Sequence, residues 1–169
     1  MKFISSATAK VAVFALTAPA SAATYTQAQV QMMVDSLEAT KAARAVATVQ
    51  VVPECADWNG SQARFYHGRK PAIKICAPEM DSPFDIQESV QHEAIHLAQW
   101  CRGSNSVYKI SALKSEGRKA GFTADVDYAH EMASEHYDKS EYDSEFEAYY
   151  FMDSEGSEIA EIVNEACKD

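Results

Sequence analysis

His92 and His96 stand four residues apart in a segment that begins with helix-capping residues and ends before a glycine. This pattern predicts a long helix that starts at Asp81 or Ser82, reaches Cys101 and ends at Gly103. On such a helix both imidazoles project from one face, about one turn apart. Apolar residues on the other faces, Val90, Ile95, Leu97 and Trp100, can be buried. The rest of the chain must therefore pack around this helix and leave the histidine face accessible.

The segments before this helix combine helical and strand patterns. Thr26 can cap a helix that runs to about Thr48, with apolar residues at helical spacing. Thr48–Val52 alternates in the way typical of a strand, and Pro53 ends it. The runs Ala63–His67 and Ile73–Cys76, bridged by residues 68–71 (GRKP), predict a hairpin.

The segments after this helix are helical in pattern. Between Ser106 and Thr123 the main signal is a turn around Gly117 and Gly121. Three helices follow, predicted over Thr123–Tyr137, Ser140–Asp153 and Ser157–Cys167. The expected fold is α+β: a small three-stranded sheet or hairpin packed on the histidine-bearing helix, with a helical C-terminal half.

The N-terminus has the pattern of a secretory signal peptide. Lys2 and Lys10 form a weakly basic start, and Val11–Pro19 is apolar but too short for a membrane anchor. The small residues Ala20-Ser21-Ala22 suit a signal peptidase. We therefore expect residues 1–22 to be a signal peptide and residues 23–169 to form a single domain. The mature chain would be secreted or periplasmic, with no stable membrane insertion.

Cysteine usage agrees with export. The four cysteines Cys55, Cys76, Cys101 and Cys167 all follow the predicted cleavage site, and an even number suggests two disulfides. Three pairings are open. We favour Cys55–Cys76, which would flank the hairpin, and Cys101–Cys167, which would tie the last helix to the histidine-bearing helix.

The charge balance restricts the partners. With 15 basic and 25 acidic side chains, the formal net charge is −10. Nucleic acid and anionic membranes would be repelled by such a surface, so neither is an expected partner. We expect a monomer.

The segment His92-Glu93-Ala94-Ile95-His96 carries the chemistry. Two imidazoles one helical turn apart suit a single Zn²⁺, whose usual ligands include histidine nitrogens. Glu93, adjacent to the first histidine, can act on a water at the metal as general base and then protonate a leaving amine. A catalytic zinc site needs a third protein ligand. Gln99 and Arg102 occupy the positions of the glycine and third histidine in the extended H-E-x-x-H-x-x-G-x-x-H pattern, which excludes that histidine-rich class.

A later segment, residues 145–151 (EFEAYYF), resembles the E-x-x-A helix of the gluzincins, zinc metallopeptidases whose third ligand is a glutamate. In that family a small residue follows the ligand by three positions, as Ala148 follows Glu145. The resemblance implies peptide hydrolysis, with Glu145 as the third ligand. It also implies that either Ala63–His67 or Ile73–Cys76 forms an edge that binds an extended substrate.

Several assignments stay open within this resemblance. Glu141 and Glu147 are rival ligands, although bulky Tyr150 follows Glu147 by three residues. Asp125 and Asp127 are candidates if the third ligand is an aspartate. Some of these families have an aspartate after the small residue, and this chain has Tyr149 there. The residue that would hold the metal-binding histidines in orientation is therefore not assigned. Candidates for stabilising an oxyanion are His130, His136, Tyr128 and Tyr142.

The expected function is zinc-dependent hydrolysis of a peptide or protein substrate outside the cytoplasm. One alternative is a secreted or periplasmic module that binds zinc without catalysis. Another is a structural domain held by disulfides, in which the H-E-x-x-H match is accidental.

Overall fold

A computed structural model describes residues 25–121 and 123–168. The described residues form seven α-helices and a mixed sheet of three strands, so the predicted α+β class is confirmed. The predicted signal peptide lies outside the described residues. No helix among the described residues is long and apolar enough to cross a bilayer.

The N-terminal region contains two helices where one was predicted. The capping box of Thr26 and Gln29 starts α1 (Gln27–Ser36), as expected. The prediction of one helix to about Thr48 is wrong, because the backbone at Leu37 is extended (φ −69°, ψ 139°) and α2 occupies Glu38–Ala43. The break allows α2 to pack on the last helix and to bury Ala39, Ala42 and Ala43.

The sheet has the order β1-β3-β2, with β1 Thr48–Val52, β2 Ala63–Tyr66 and β3 Ala72–Cys76. β2 and β3 are antiparallel, which confirms the predicted hairpin, and β1 is parallel to β3. β3 therefore has partners on both sides. Ile73–Cys76, which lies in β3, cannot be the substrate-binding edge, although it was one of the two candidates. β2 has a partner on one side only among the described residues.

The histidine-bearing helix is α3, Pro83–Arg102. It begins where expected: the Ser82 side chain accepts a hydrogen bond from the Asp85 backbone nitrogen, and Gly103 ends the helix with φ +62°. Its inner faces are fully buried at Val90, Ala94, Ile95, Leu97 and Ala98. Trp100, expected among the buried residues, is instead partly exposed and lines a cavity beside the helix.

The C-terminal half contains one helix more than predicted. α5 (Thr123–His136), α6 (Tyr142–Phe151) and α7 (Gly156–Ala166) lie where expected. However, Ile110–Ala120 forms α4, and the predicted turn at Gly117 is wrong. Gly117 is inside this helix, and only Gly121 ends it with a positive φ.

Both disulfides have the pairing favoured from the sequence. Cys55 is bonded to Cys76, with 5.9 Å between their Cα atoms, and Cys101 to Cys167, with 5.0 Å. Two disulfides indicate an oxidising environment outside the cytoplasm. The second bond joins the end of α3 to the end of α7, so it braces the helix that carries the histidines.

Candidate metal centre

The two histidines of α3 converge on one point. The Nε2 atoms of His92 and His96 are 3.1 Å apart, and their ring centroids are 4.8 Å apart. This follows from the four-residue spacing, because the inner faces of α3 are buried and the remaining face directs both rings towards α6. Each nitrogen therefore needs a shared proton or a shared cation to avoid two opposed lone pairs.

The third member of the group comes from α6. Glu145 Oε1 is 3.4 Å from His96 Nε2, and Glu145 Oε2 is 3.4 Å from His92 Nε2. Ala148 is fully buried one turn further along α6. Ligand atoms of His92, His96 and Glu145 all lie within 4.8 Å of one another, and no other described residues form a group of three with this property.

One atom of this group lacks a hydrogen-bond partner that a metal ion could replace. Glu145 Oε2 is buried and has no hydrogen-bond partner among the described residues. A buried carboxylate oxygen without a partner is costly, and a cation close to both Nε2 atoms would also satisfy this oxygen. Two imidazoles and one carboxylate can thus bind a metal ion through three atoms.

In the metal-free protein a proton takes the place of that cation. Burial by itself would lower the pKa of His96, but its hydrogen bond with Glu145 and the charges of Glu93 and Glu145 outweigh burial and raise it to about 9. Burial would raise the pKa of Glu145, but both histidines outweigh it and hold the pKa at about 2. The metal-free site is therefore an ion pair, and a metal ion must displace the His96 proton.

Glu93 lies beside this group but is not part of it. Its residue surface is 7% exposed, and its side chain lines the same cavity as both histidines and Glu145. Burial raises the pKa of Glu93, against the opposing effect of the two histidines. The backbone of Phe65 in β2 supplies a hydrogen bond to the carboxyl group. Glu93 is thus a buried carboxyl group held next to the candidate metal position.

A buried polar network supports His96 from behind, which the sequence analysis left unassigned. Gln99 Nε2 donates to Glu147 Oε2 at 2.9 Å and to the Ser144 carbonyl at 3.0 Å. Its Oε1 therefore faces His96 Nδ1, at 2.9 Å. The Ser144 hydroxyl donates to the same Oε1 at 2.7 Å. Because the amide oxygen can only accept, the Nδ1 atom of His96 must carry a proton.

Glu147, a rival ligand in the sequence, is the anchor of this network. It is fully buried, and its carboxylate accepts hydrogen bonds from the backbone nitrogens of Val107 and Tyr108 at 2.8 and 2.7 Å. These bonds tie the segment after α3 to α6. Glu147 therefore points away from the paired Nε2 atoms. Its role is structural, because it holds Gln99, which in turn contacts His96.

The other rivals lie outside the group. Glu141 is exposed at the N-terminus of α6 and lines the cavity without approaching the histidines as Glu145 does. Asp125 is exposed, and Asp127 pairs with Arg118 at 2.6 Å. Neither aspartate belongs to the candidate metal group.

Of the four candidates for oxyanion stabilisation, one is near the site. Tyr128 lines a cavity that adjoins His92. Tyr142 accepts a hydrogen bond from Lys114 and contacts His130, both at 2.7 Å. Neither Tyr142 nor His130 lines this cavity or the cavity that contains the histidines. His136 lines neither cavity.

Two tyrosines at the site were given no role from the sequence. Tyr149 packs edge-on against the His92 ring, with 4.7 Å between ring centroids. Tyr137 lines the cavities on both sides of His92, and its hydroxyl is 3.5 Å from that of Tyr149. Burial, followed by the contact with Tyr149, raises the pKa of Tyr137, so its hydroxyl stays protonated. Their approach to His92 depends on tertiary packing, because they reach the site from α6 and from the residue that follows α5.

A cleft passes across the candidate metal centre along β2. A larger cavity of about 660 Å³ contains His92, His96 and Glu145 and extends past Trp100. A smaller cavity of about 330 Å³ lies towards Glu88, and the two share Ser61, Ala63, His92, Glu93 and Tyr137. The two cavities thus adjoin at His92, and Ala63 of β2 lines both.

No protein-family model, curated protein or solved structure matches this chain. The geometry of the site is therefore the basis for inferring function.

Proposed function

We propose that this protein is a secreted zinc-dependent peptidase of the gluzincin type, with His92, His96 and Glu145 as metal ligands. The observation that carries this proposal is the grouping of those three side chains, within 4.8 Å, in a cleft that also holds the buried carboxyl group of Glu93.

Zinc is the metal that best suits this donor set. Two imidazole nitrogens and one carboxylate are the ligands of a known class of catalytic zinc sites, which keep a fourth position open. Harder ions such as Mg²⁺ and Ca²⁺ prefer sites made of oxygen atoms. When bound, zinc supplies a Lewis acid that polarises a carbonyl group and favours deprotonation of water.

Glu93 provides the proton transfers in this proposal. Its carboxylate accepts a proton from the attacking water and then donates it to the leaving amine. Its burial suits both steps, because burial raises the pKa of Glu93 and so makes its carboxylate a better proton acceptor. The hydrogen bond from the β2 backbone holds the carboxyl group in place between these steps.

β2 and Tyr137 complete the site. An extended peptide can add to the open side of β2 by backbone hydrogen bonds, which would lay a scissile carbonyl next to the histidines. The protonated Tyr137 hydroxyl lines the cleft on both sides of His92 and can donate a hydrogen bond to a developing oxyanion. The expected partner is thus a peptide or unfolded protein segment, bound by a monomer.

The test compares three variants of the mature protein. Glu145→Ala should lose stoichiometric zinc, measured by metal analysis after dialysis, because one of three ligands is removed. Glu93→Gln should keep zinc and lose hydrolysis of a casein or peptide-library substrate by a factor of about 10² or more. Tyr137→Phe should keep zinc and lower kcat more than it changes KM.

Two results would reject parts of the proposal. Full activity in Glu93→Gln would exclude the mechanism. Stoichiometric zinc without cleavage of any peptide would favour a binding module instead. The control is Glu141→Gln, which removes a carboxylate from the same cleft without touching the candidate ligands.

A further inference from the structure

Side chains with large apolar parts line one side of the smaller cavity next to His92. Tyr128 and Met132 of α5 face it from one side, and Tyr149 and Met152 from α6 and its end. Ser89 and Glu93 of α3 and Ala63 of β2 complete the wall towards the metal centre. A side chain of a substrate that follows β2 past the histidines would enter this space.

One charged group lines this cavity away from the histidines. Glu88, one turn before His92 on α3, lines it together with the apolar residues. Its carboxyl group is hydrogen-bonded to that of Asp153. Burial, with this bond and the charge of Asp153, raises the pKa of Glu88 to about 8. Because a hydrogen bond between two carboxyl groups requires a proton on one of them, the pair holds a shared proton.

No cationic side chain of the described chain compensates this pair. The ion pairs of the described residues involve neither Glu88 nor Asp153. The charges of the two carboxyl groups act on the opposite wall of the cavity. The pKa of Tyr128 is raised mainly by burial and further by the charges of Tyr149, Glu88 and Asp153. A hydrogen-bonded carboxyl pair beside apolar side chains, without a cationic partner among the described residues, is complementary to a cation with an apolar stem.

We propose that this cavity binds a lysine or arginine side chain of the substrate, next to the bond that is cleaved, and that Glu88 determines this preference. The substrate class is thereby peptides with a basic residue at this position. The methylene groups of such a side chain contact the tyrosines and methionines, and its charged end replaces the shared proton at Glu88 and Asp153. This inference rests on the proposed function.

Other side chains fit these surroundings less well. An acidic side chain would add a third carboxylate to the pair. A purely apolar side chain of similar length would contact the apolar walls but would bring no charge to the carboxyl pair, so it gains no charge-assisted hydrogen bond. The cavity should therefore distinguish substrate side chains of similar length by their charge.

The test measures peptide binding without cleavage. Zinc-loaded Glu93→Gln protein is titrated with two hexapeptides, Ala-Ala-Ala-Lys-Ala-Ala and the same peptide with norleucine in place of lysine. We expect the lysine peptide to bind about 10- to 100-fold more tightly, since hydrogen bonds to charged groups contribute that much. Adding Glu88→Gln should reduce the ratio to below about threefold.

Glu161→Gln is the matched control, because it removes one exposed carboxylate on α7 that lines neither cavity of the cleft. It should preserve the preference for lysine. Equal affinity for both peptides, no binding of either, or an equal loss in Glu161→Gln would overturn the inference; the last result would indicate a general attraction by the net charge. Failure of the proposed function would appear separately, as absence of cleavage by the wild-type protein.

Discussion

The tautomer of His96 depends on a residue that is not a ligand. Glu147 and the Ser144 carbonyl accept from the Gln99 amide nitrogen, so the amide oxygen must face His96 Nδ1. The proton on Nδ1 then remains in place when Nε2 loses its own. A metal ligand whose second nitrogen is held in this way binds more tightly, because its lone pair is already directed at the metal.

Replacing Gln99 by leucine should therefore weaken zinc binding at the proposed site. We expect the dissociation constant to rise about 10- to 100-fold, measured by competition with a chelator. In metal-free protein above the His96 pKa of about 9, where the ring is neutral, the ¹⁵N chemical shifts should show that the remaining proton is no longer confined to Nδ1.

Gln91→Leu separates this effect from lost stability. Gln91 is a second buried glutamine of α3, and it donates to the Ser154 carbonyl at 2.8 Å without contacting a candidate ligand. Both variants should lose about 1–3 kcal/mol of stability from an unmade buried hydrogen bond, but only Gln99→Leu should change metal affinity. An equal change in both would mean that Gln99 acts through the fold alone.

At the scale of elements, α4 shows where local pattern is misleading. Gly117 is a poor helix former and predicted a turn, yet it lies inside Ile110–Ala120. A Cβ atom there would approach the Tyr150 hydroxyl to 2.8 Å and Val126 Cγ2 to 2.9 Å. The glycine therefore permits close packing of α4 against α5 and α6, and this tertiary contact outweighs its low helical propensity.

Gly117→Ala should destabilise the protein although alanine favours helices. The gain in propensity is about 1 kcal/mol, and overpacking against buried Val126 costs about 1–3 kcal/mol. We expect a net loss of about 1 kcal/mol in the free energy of unfolding, measured with urea.

Two further variants check the cause. Tyr150→Phe removes the hydroxyl that the new Cβ would meet, so Gly117→Ala should cost less in that background. Gly156→Ala, at the start of α7, should be neutral or stabilising, since the nearest atoms to a Cβ there are at 3.9 Å. A stabilising effect of Gly117→Ala would refute the packing argument.

The sheet is a second case in which the elements were predictable but their arrangement was not. Alternating apolar residues and the residues 68–71 identified all three strands and the hairpin. The parallel pairing of β1 with β3 depends on contacts between distant segments, which no local pattern encodes. That pairing leaves β2, next to the histidines, as the open strand.

At the scale of the whole molecule, the Cys101–Cys167 disulfide closes the long helical half of the chain. The bonded cysteines are 66 positions apart and join α3 to α7, whose buried Ile159, Ile162 and Val163 complete the core. Cys55–Cys76 closes a shorter loop of 21 positions around the hairpin. Both bonds restrict the unfolded chain, the longer loop more strongly.

Removing the longer bridge should therefore be the more costly change. Loop-closure entropy predicts a loss of about 4 kcal/mol for Cys101→Ala with Cys167→Ala, and about 3 kcal/mol for Cys55→Ala with Cys76→Ala. Urea unfolding of the two double variants measures the difference. A loss below about 1 kcal/mol for the first variant would show that core packing alone holds α7 on α3.

Spacing within one helix was sufficient to identify His92, Glu93 and His96, because a helix relates residues four apart by a fixed geometry. The same local rules identified the strands and most of the helices. The resemblance favoured Glu145 over Glu147, but only the tertiary structure showed where each lies: Glu145 at the Nε2 atoms, and Glu147, two residues away, buried behind Gln99. It alone brought Tyr137 and Tyr149 to His92 and formed, between α3, α5 and α6, the adjoining cavity that Glu88 lines. These relations join segments far apart in the chain, and their distances are set by how helices and sheet pack, which short-range periodicity does not contain.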